Sequence, residues 1–182
     1  VIQPVAYQFR RKAGNVFGEK TFDVFLTING IAGPLLLGTA VGTLFTGANF
    51  TVDRLNLANG AGSGSATVIS QWTTPWHGLE ALGDMRNVAL GLAVMFLAGM
   101  LACQYFMNNI ADETLFARAR RRMLTLAAPF LVFFLTFFVW LLFSDGLAVD
   151  AAGRISAEPY KYLHNMLEMP YVAAALLIGV VS

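Results

Sequence analysis

Asp23, Thr27 and Asn29 follow one another where a charged amino-terminal stretch gives way to an apolar run, with Asn29 about a turn and a half of helix beyond Asp23. A carboxylate, a hydroxyl and a carboxamide at that spacing could relay a proton or hold a polar ligand. Helix capping and interfacial solvation account for the same residues. The second candidate is the run Glu158-Pro159-Tyr160-Lys161-Tyr162-Leu163-His164-Asn165-Met166-Leu167-Glu168-Met169-Pro170, the densest polar and aromatic cluster in the chain. Glu158, Tyr160 and His164 supply there a carboxylate, a phenol and a titratable imidazole, the groups that deprotonating a phenolic ligand requires. The plainer account is an amphipathic helix at a membrane interface, ended by Pro170.

Iron chemistry is restricted by the donor residues. The chain has 2 histidines, His77 and His164, and neither falls in an apolar run. A haem inside a bilayer takes an axial histidine, or else methionine or cysteine, from a helix. Met95, Met100 and Cys103 are the candidates in mid-run, and their preferred reading is soft packing in an apolar helix. Cys103 is the 1 cysteine, so neither an internal disulfide nor a thiolate cluster can form. No catalytic, cofactor-binding or metal-ligating residue is assigned. If the chain serves a redox complex, another chain holds the iron.

The elements that must position these groups are legible in the composition. Hydrophobic residues make up 57% and charged residues 13% of the 182 residues, against roughly 45–50% and 25% in soluble domains. A bilayer is the matching solvent. A helix needs about 20 apolar residues to cross about 30 Å of hydrocarbon, and the expected spans are 24–46, 88–107, 124–143 and 171–182. The last is too short to cross, so the fold expected is all-α, a polytopic transmembrane helical bundle with three complete spans plus the start of a fourth. The chain opens at Val1 rather than Met and stops inside an apolar run, so both ends are expected to be cut, leaving a single membrane-domain fragment over 1–182.

Net charge is only +1, which gives no electrostatic case for nucleic acid. The distribution of the basic residues carries more. Arg10, Arg11, Lys12 and Lys20 precede the first span, and Arg118, Arg120, Arg121 and Arg122 lie between the second and third, so the Arg10–Lys20 and Arg118–Arg122 segments are expected on the cytoplasmic side. Segments 47–87 and 145–169 then face outward. Asn108, Asn109, Asp112 and Glu113 are expected in a solvated turn with internal ion pairs. The outer loop 47–87 contains a Gly/Ser stretch, 59–65, expected to be flexible, and Trp72, Trp76 and His77 lead into a short interfacial helix at Gly78-Leu79-Glu80. In span one, Gly38 and Gly42 stand four apart on one face, where a neighbouring backbone can approach, and Pro34 should bend the helix. The rings of Phe130, Phe133, Phe134, Phe137 and Phe138 occupy one face of span three, for lipid contact and helix packing before cofactor stacking.

Two stretches carry a family likeness. One runs from Pro4-Val5 and Phe9-Arg10 through Asp23, Pro34-Leu35, Gly38, Ala40, Gly42, Leu44, Gly47, Phe50 and Val52-Asp53. The other runs from span two into Asn108-Asn109-Ile110-Ala111-Asp112-Glu113, the Arg118–Arg122 cluster, span three and Glu158 to Asn165. In their order and spacing the chain resembles subunit II of cytochrome bd-type quinol oxidases, over nearly its whole length. The resemblance implies a non-haem second subunit that scaffolds a haem-bearing subunit I in the prokaryotic cytoplasmic membrane. In that partner, haem b and haem d serve quinol oxidation and the reduction of oxygen to water. It further implies that helices carrying the family's acidic pathway residues precede Val1, so no catalytic residue transfers, and that this chain binds no haem directly, with a quinone or a lipid as its conceivable ligand. Membrane lipids and quinol complete the expected partners. The rival readings are a fragment of a polytopic transporter gated at the Gly33-Pro34 break and a purely structural membrane protein.

Overall fold

A computed structural model describes residues 2–52, 70–149 and 153–181, which form two compact units, Val1–Phe133 and Phe134–Ser182. The first unit opens with α1 (Ile2–Phe9), which packs along the first half of α2 (Glu19–Thr46) and buries Ala6 between them. Asn15 shapes the loop between the two helices. Its Oδ1 accepts hydrogen bonds from the amides of Phe17 (3.0 Å) and Gly18 (3.1 Å), and its Nδ2 donates to the Arg10 carbonyl (3.2 Å). Gly18 takes φ 77°, a left-handed value that favours glycine, and α2 starts at the next residue. At the other end Gly47 leaves the helix at φ 86° while its amide still donates to the Thr43 carbonyl.

Among the described residues the three long helices are α2, α3 (Met85–Asn109) and α4 (Glu113–Leu142), each long and apolar enough to cross a membrane. Their 28, 25 and 30 residues correspond to about 42, 38 and 45 Å. Each is longer than its expected span, and α4 starts eleven residues before position 124. Hydropathy marks only the part of a helix that lies in hydrocarbon. Glu, Leu, Ala and Arg continue the helix well beyond it. Pro34 lies inside α2 and Pro129 inside α4, and both helices run on through them.

The turn between α3 and α4 differs from expectation. Asp112 caps α4, its Oδ1 accepting from the Leu115 amide (2.9 Å) and the Thr114 hydroxyl (2.6 Å). Those donors hold its carboxyl below the ordinary range, Thr114 most strongly. Among the described residues no carboxylate pairs with Arg118, Arg120, Arg121 or Arg122; the arginines ride on the first turns of α4 rather than in a loop. Among the described residues the internal ion pairs expected there are not formed: Asp112 serves as the cap, and Glu113 pairs with no arginine.

Among the described residues two antiparallel strand pairs add a little sheet to the helical architecture. β1 (Phe50–Val52) pairs with β2 (Ser70–Trp72), with Phe50 opposite Trp72. In the second unit β3 (Gly146–Val149) pairs with β4 (Ile155–Glu158), with Gly146 opposite Glu158. The short helix expected at 78–80 is present as one turn of 3-10 helix, Leu79–Gly83. The Gly/Ser stretch 59–65 lies outside the described residues. After β4 come α5 (Lys161–Glu168) and α6 (Pro170–Val181). Pro170 follows α5 as expected, but it also opens α6, where a missing N–H costs nothing because first-turn amides have no helical partner.

Candidate functional site

The side chains singled out in the sequence fall into separate clusters. At the start of α2, Asp23 faces the end of α1: Arg10 Nε lies 2.6 Å from Asp23 Oδ1, and Arg10 Nη2 donates to Oδ2 at 3.2 Å. The short contact is ionic rather than a directed hydrogen bond, since the Arg10 Nε–H is not aimed at an acceptor. Glu19 joins through Arg10 (3.4 Å) and Arg11 (3.5 Å). Thr27 donates back to the Asp23 carbonyl (2.8 Å), and Asn29 donates to Gln3 Oε1 on α1 (3.0 Å). Asp23 and Asn29 thus each tie α2 to the α1 segment.

Gly38 and Gly42 face α3. A Cβ on Gly38 would stand 2.8 Å from the Gly91 Cα, and one on Gly42 would stand 2.6 Å from Asn87 Oδ1. Gly91 answers from the other helix, where a Cβ would meet Thr39 Oγ1 at 2.5 Å and the Leu35 carbonyl at 2.7 Å. With no side chains in the way, dispersion contact and direct polar contact hold the two helices together. Thr39 and Asn87 are each only 2% exposed on this seam. Thr39 donates to the Leu35 carbonyl (2.8 Å); Asn87 accepts from Thr46 Oγ1 (2.9 Å) and donates to the Ala81 carbonyl (3.4 Å).

Asn87 belongs to a polar cluster that the sequence reading missed. It lines, with Thr43, Thr46, Trp72, Glu80 and Asp84, a cavity of about 380 Å³ where the end of α2 meets the start of α3. Asp84 caps α3 through the Arg86 amide (2.8 Å) and receives the Arg86 guanidinium on both oxygens, at 3.1 and 2.8 Å. Arg86 is the main reason that the Asp84 carboxyl titrates below its ordinary range. Glu80 is lowered too, chiefly by its own backbone amide, then by the Thr74 side chain, the Gly78 amide (3.0 Å) and the charge of His77. The Thr74 hydroxyl and Glu80 Oε1 are sealed from solvent, and neither has a partner in full hydrogen-bond geometry. The signal available in the sequence was Asp84 two residues before Arg86 and three before Asn87, a cap placed ahead of an apolar run.

In the second unit Glu158 collects the remaining candidates. Its Oε2 accepts from Lys161 Nζ (2.8 Å) and its Oε1 lies 3.1 Å from His164 Nδ1. Lys161 first, then His164, hold the Glu158 carboxyl below its ordinary range, and Glu158 raises Lys161 in return. Among the described residues the Tyr160 phenol makes no hydrogen bond to this network; its carbonyl accepts from the His164 amide (3.0 Å). Tyr160 sits at φ 55° ahead of α5, its ring edge-on to Phe143 with centroids 6.0 Å apart.

Three apolar helices of membrane-crossing length, a glycine-lined seam and polar groups gathered at helix ends define an integral membrane protein. The family described as cytochrome bd terminal oxidase subunit II matches the chain over residues 1–182. The chain belongs to that family. No curated protein matches it. The membership decides against the transporter reading.

A haem inside a bilayer takes an axial histidine from a helix, and neither histidine of this chain is on a long helix. His77 and His164 lie outside the three long helices, His164 already against Glu158. Met95 and Met100 project about 140° apart on α3. Among the described residues no group of three or more His, Cys, Asp or Glu gathers to hold a metal.

Proposed function

We propose that this chain is the non-haem membrane subunit of a bd-type terminal oxidase in a prokaryotic cytoplasmic membrane. It acts mainly as scaffold for a haem-bearing subunit I, within a complex that couples quinol oxidation to reduction of oxygen to water. The observation that carries the reading is the family match over the whole chain, and the placement of both histidines outside the long helices supports it. What the chain's own residues do on this reading is structural. The α2–α3 seam fixes two helices against each other, and the Arg10–Asp23 and Gln3–Asn29 contacts fix α1 to them. Quinol chemistry belongs to the partner.

The test is to express the full-length protein with its neighbouring gene and purify the complex. Co-purification with a chain showing b- and d-type haem absorption is expected; a stable complex without haem overturns the reading. Replacing Glu158 or His164 should reduce assembly. Selective loss of quinol oxidation at normal haem content would move those residues from scaffold to chemistry.

A further inference from the structure

The loop joining α1 and α2 borders a cavity of about 570 Å³ that none of the sites above uses, a size in the range of small-molecule pockets. Val5 and Phe9 of α1 and Phe22 and Phe25 of α2 give it apolar walls, and Lys12 and Asn15 are among its polar lining. The loop is held by the Asn15 hydrogen bonds, and it presents Val16 and Phe17 at 91% and 73% exposure. An apolar pair so exposed, beside four basic residues at the mouth of a membrane-crossing helix, matches the boundary between headgroups and hydrocarbon.

The charges are not equally matched. Arg10 and Arg11 face Asp23 and Glu19. Lys12 faces no carboxylate among the described residues, and its ammonium lies 4.5 Å from the centre of the Phe9 ring. A cation beside a pocket of aromatic and aliphatic carbon calls for a ligand with one anionic head and a hydrocarbon tail. A purely apolar protein segment would fill the walls but leave the ammonium with only water and the Phe9 ring.

We propose that this cavity binds an anionic phospholipid of the surrounding bilayer, with an acyl chain against Phe9, Phe22 and Phe25 and the phosphate on Lys12. The cavity is formed by α1, α2 and their loop alone, while the test rests on the proposed function for the complex it uses, whose failure to form would count against that reading and not against the site. To test it, the complex of the full-length protein with its partner subunit is delipidated in detergent and titrated with dioleoyl phosphatidylglycerol and, separately, dioleoyl phosphatidylcholine, with occupancy read by native mass spectrometry. The wild type should prefer phosphatidylglycerol, and Lys12→Gln should reduce that preference roughly fivefold. Lys20→Gln, whose side chain does not line the cavity, should leave it unchanged. Equal binding of the two lipids by the wild type, an unchanged preference in Lys12→Gln, or equal losses in both variants would overturn the proposal. A photocrosslinker at Val16 should label lipid; labelling of the partner subunit or of a second copy of this chain would overturn it as well.

Discussion

At the scale of single residues, Glu158 shows how much a surface carboxylate can organise. Its carboxyl is held below the ordinary glutamate value of 4.5 by Lys161 and His164. A depressed acid stabilises the fold above its unfolded value and loses that contribution as the pH falls through the lower, folded one. Lys161, raised from 10.5, behaves in the opposite sense: its contribution is complete below that value and is lost as the pH rises through the raised one. Amide exchange across α5 (Lys161–Glu168), corrected for intrinsic rates, should therefore accelerate as the pH drops below about 4.5. Glu158→Gln should abolish that acid step; identical profiles in wild type and variant would refute the assignment. Asp23, Asn29, Glu158 and His164 stood out in the sequence because each is polar beside an apolar run. Asn87 did not, since an isolated amide at a helix start has no sequence mark of the partner that satisfies it. Its burial is decided by Gly42, Thr46 and Ala81, up to 45 positions away in the chain.

At the scale of elements, the seam between α2 and α3 separates two kinds of glycine. A methyl group at Gly33 meets nothing within 4 Å, whereas one at Gly38 runs into Gly91 Cα and Val94 Cβ at 2.8 Å. Gly38→Ala should accordingly destabilise the purified complex by about 1–3 kcal/mol, the usual penalty of overpacking. Gly33→Ala should stay within about 0.5 kcal/mol. Thermal unfolding followed by size-exclusion chromatography separates the two, and equal midpoints would show that the helices are not held at backbone contact. The long helices themselves were legible from hydropathy, though their polar ends were not, because Glu19 to Asp23 and Glu113 to Arg122 belong to the helix without belonging to the hydrocarbon. The strand pairs were illegible for another reason. Segments such as FTV and SQW are too short to show alternation, and their pairing is fixed by how the flanking chain returns.

At the scale of the whole molecule, composition alone dictated a membrane protein, and the order of apolar and charged segments carried the family likeness. Topology follows from the basic residues rather than from the helices. Alkaline phosphatase fused within the Gly/Ser stretch 59–65 should be active, and the same fusion between Asn109 and Glu113 should be silent. Activity after Arg120 would reverse the orientation. The α2–α3 seam has a further bearing, on the order of events during synthesis. Gly38, Gly42 and Gly91 supply the close approach, and Asn87 finds both its partners within Thr46 to Asn87 of the same hairpin. The ribosome therefore delivers, by the time α3 has left the translocon, a pair of helices whose buried Thr39 and Asn87 are already hydrogen-bonded. A lesion in that pair should appear as early proteolysis of the nascent chain, whether or not the other subunit is being made.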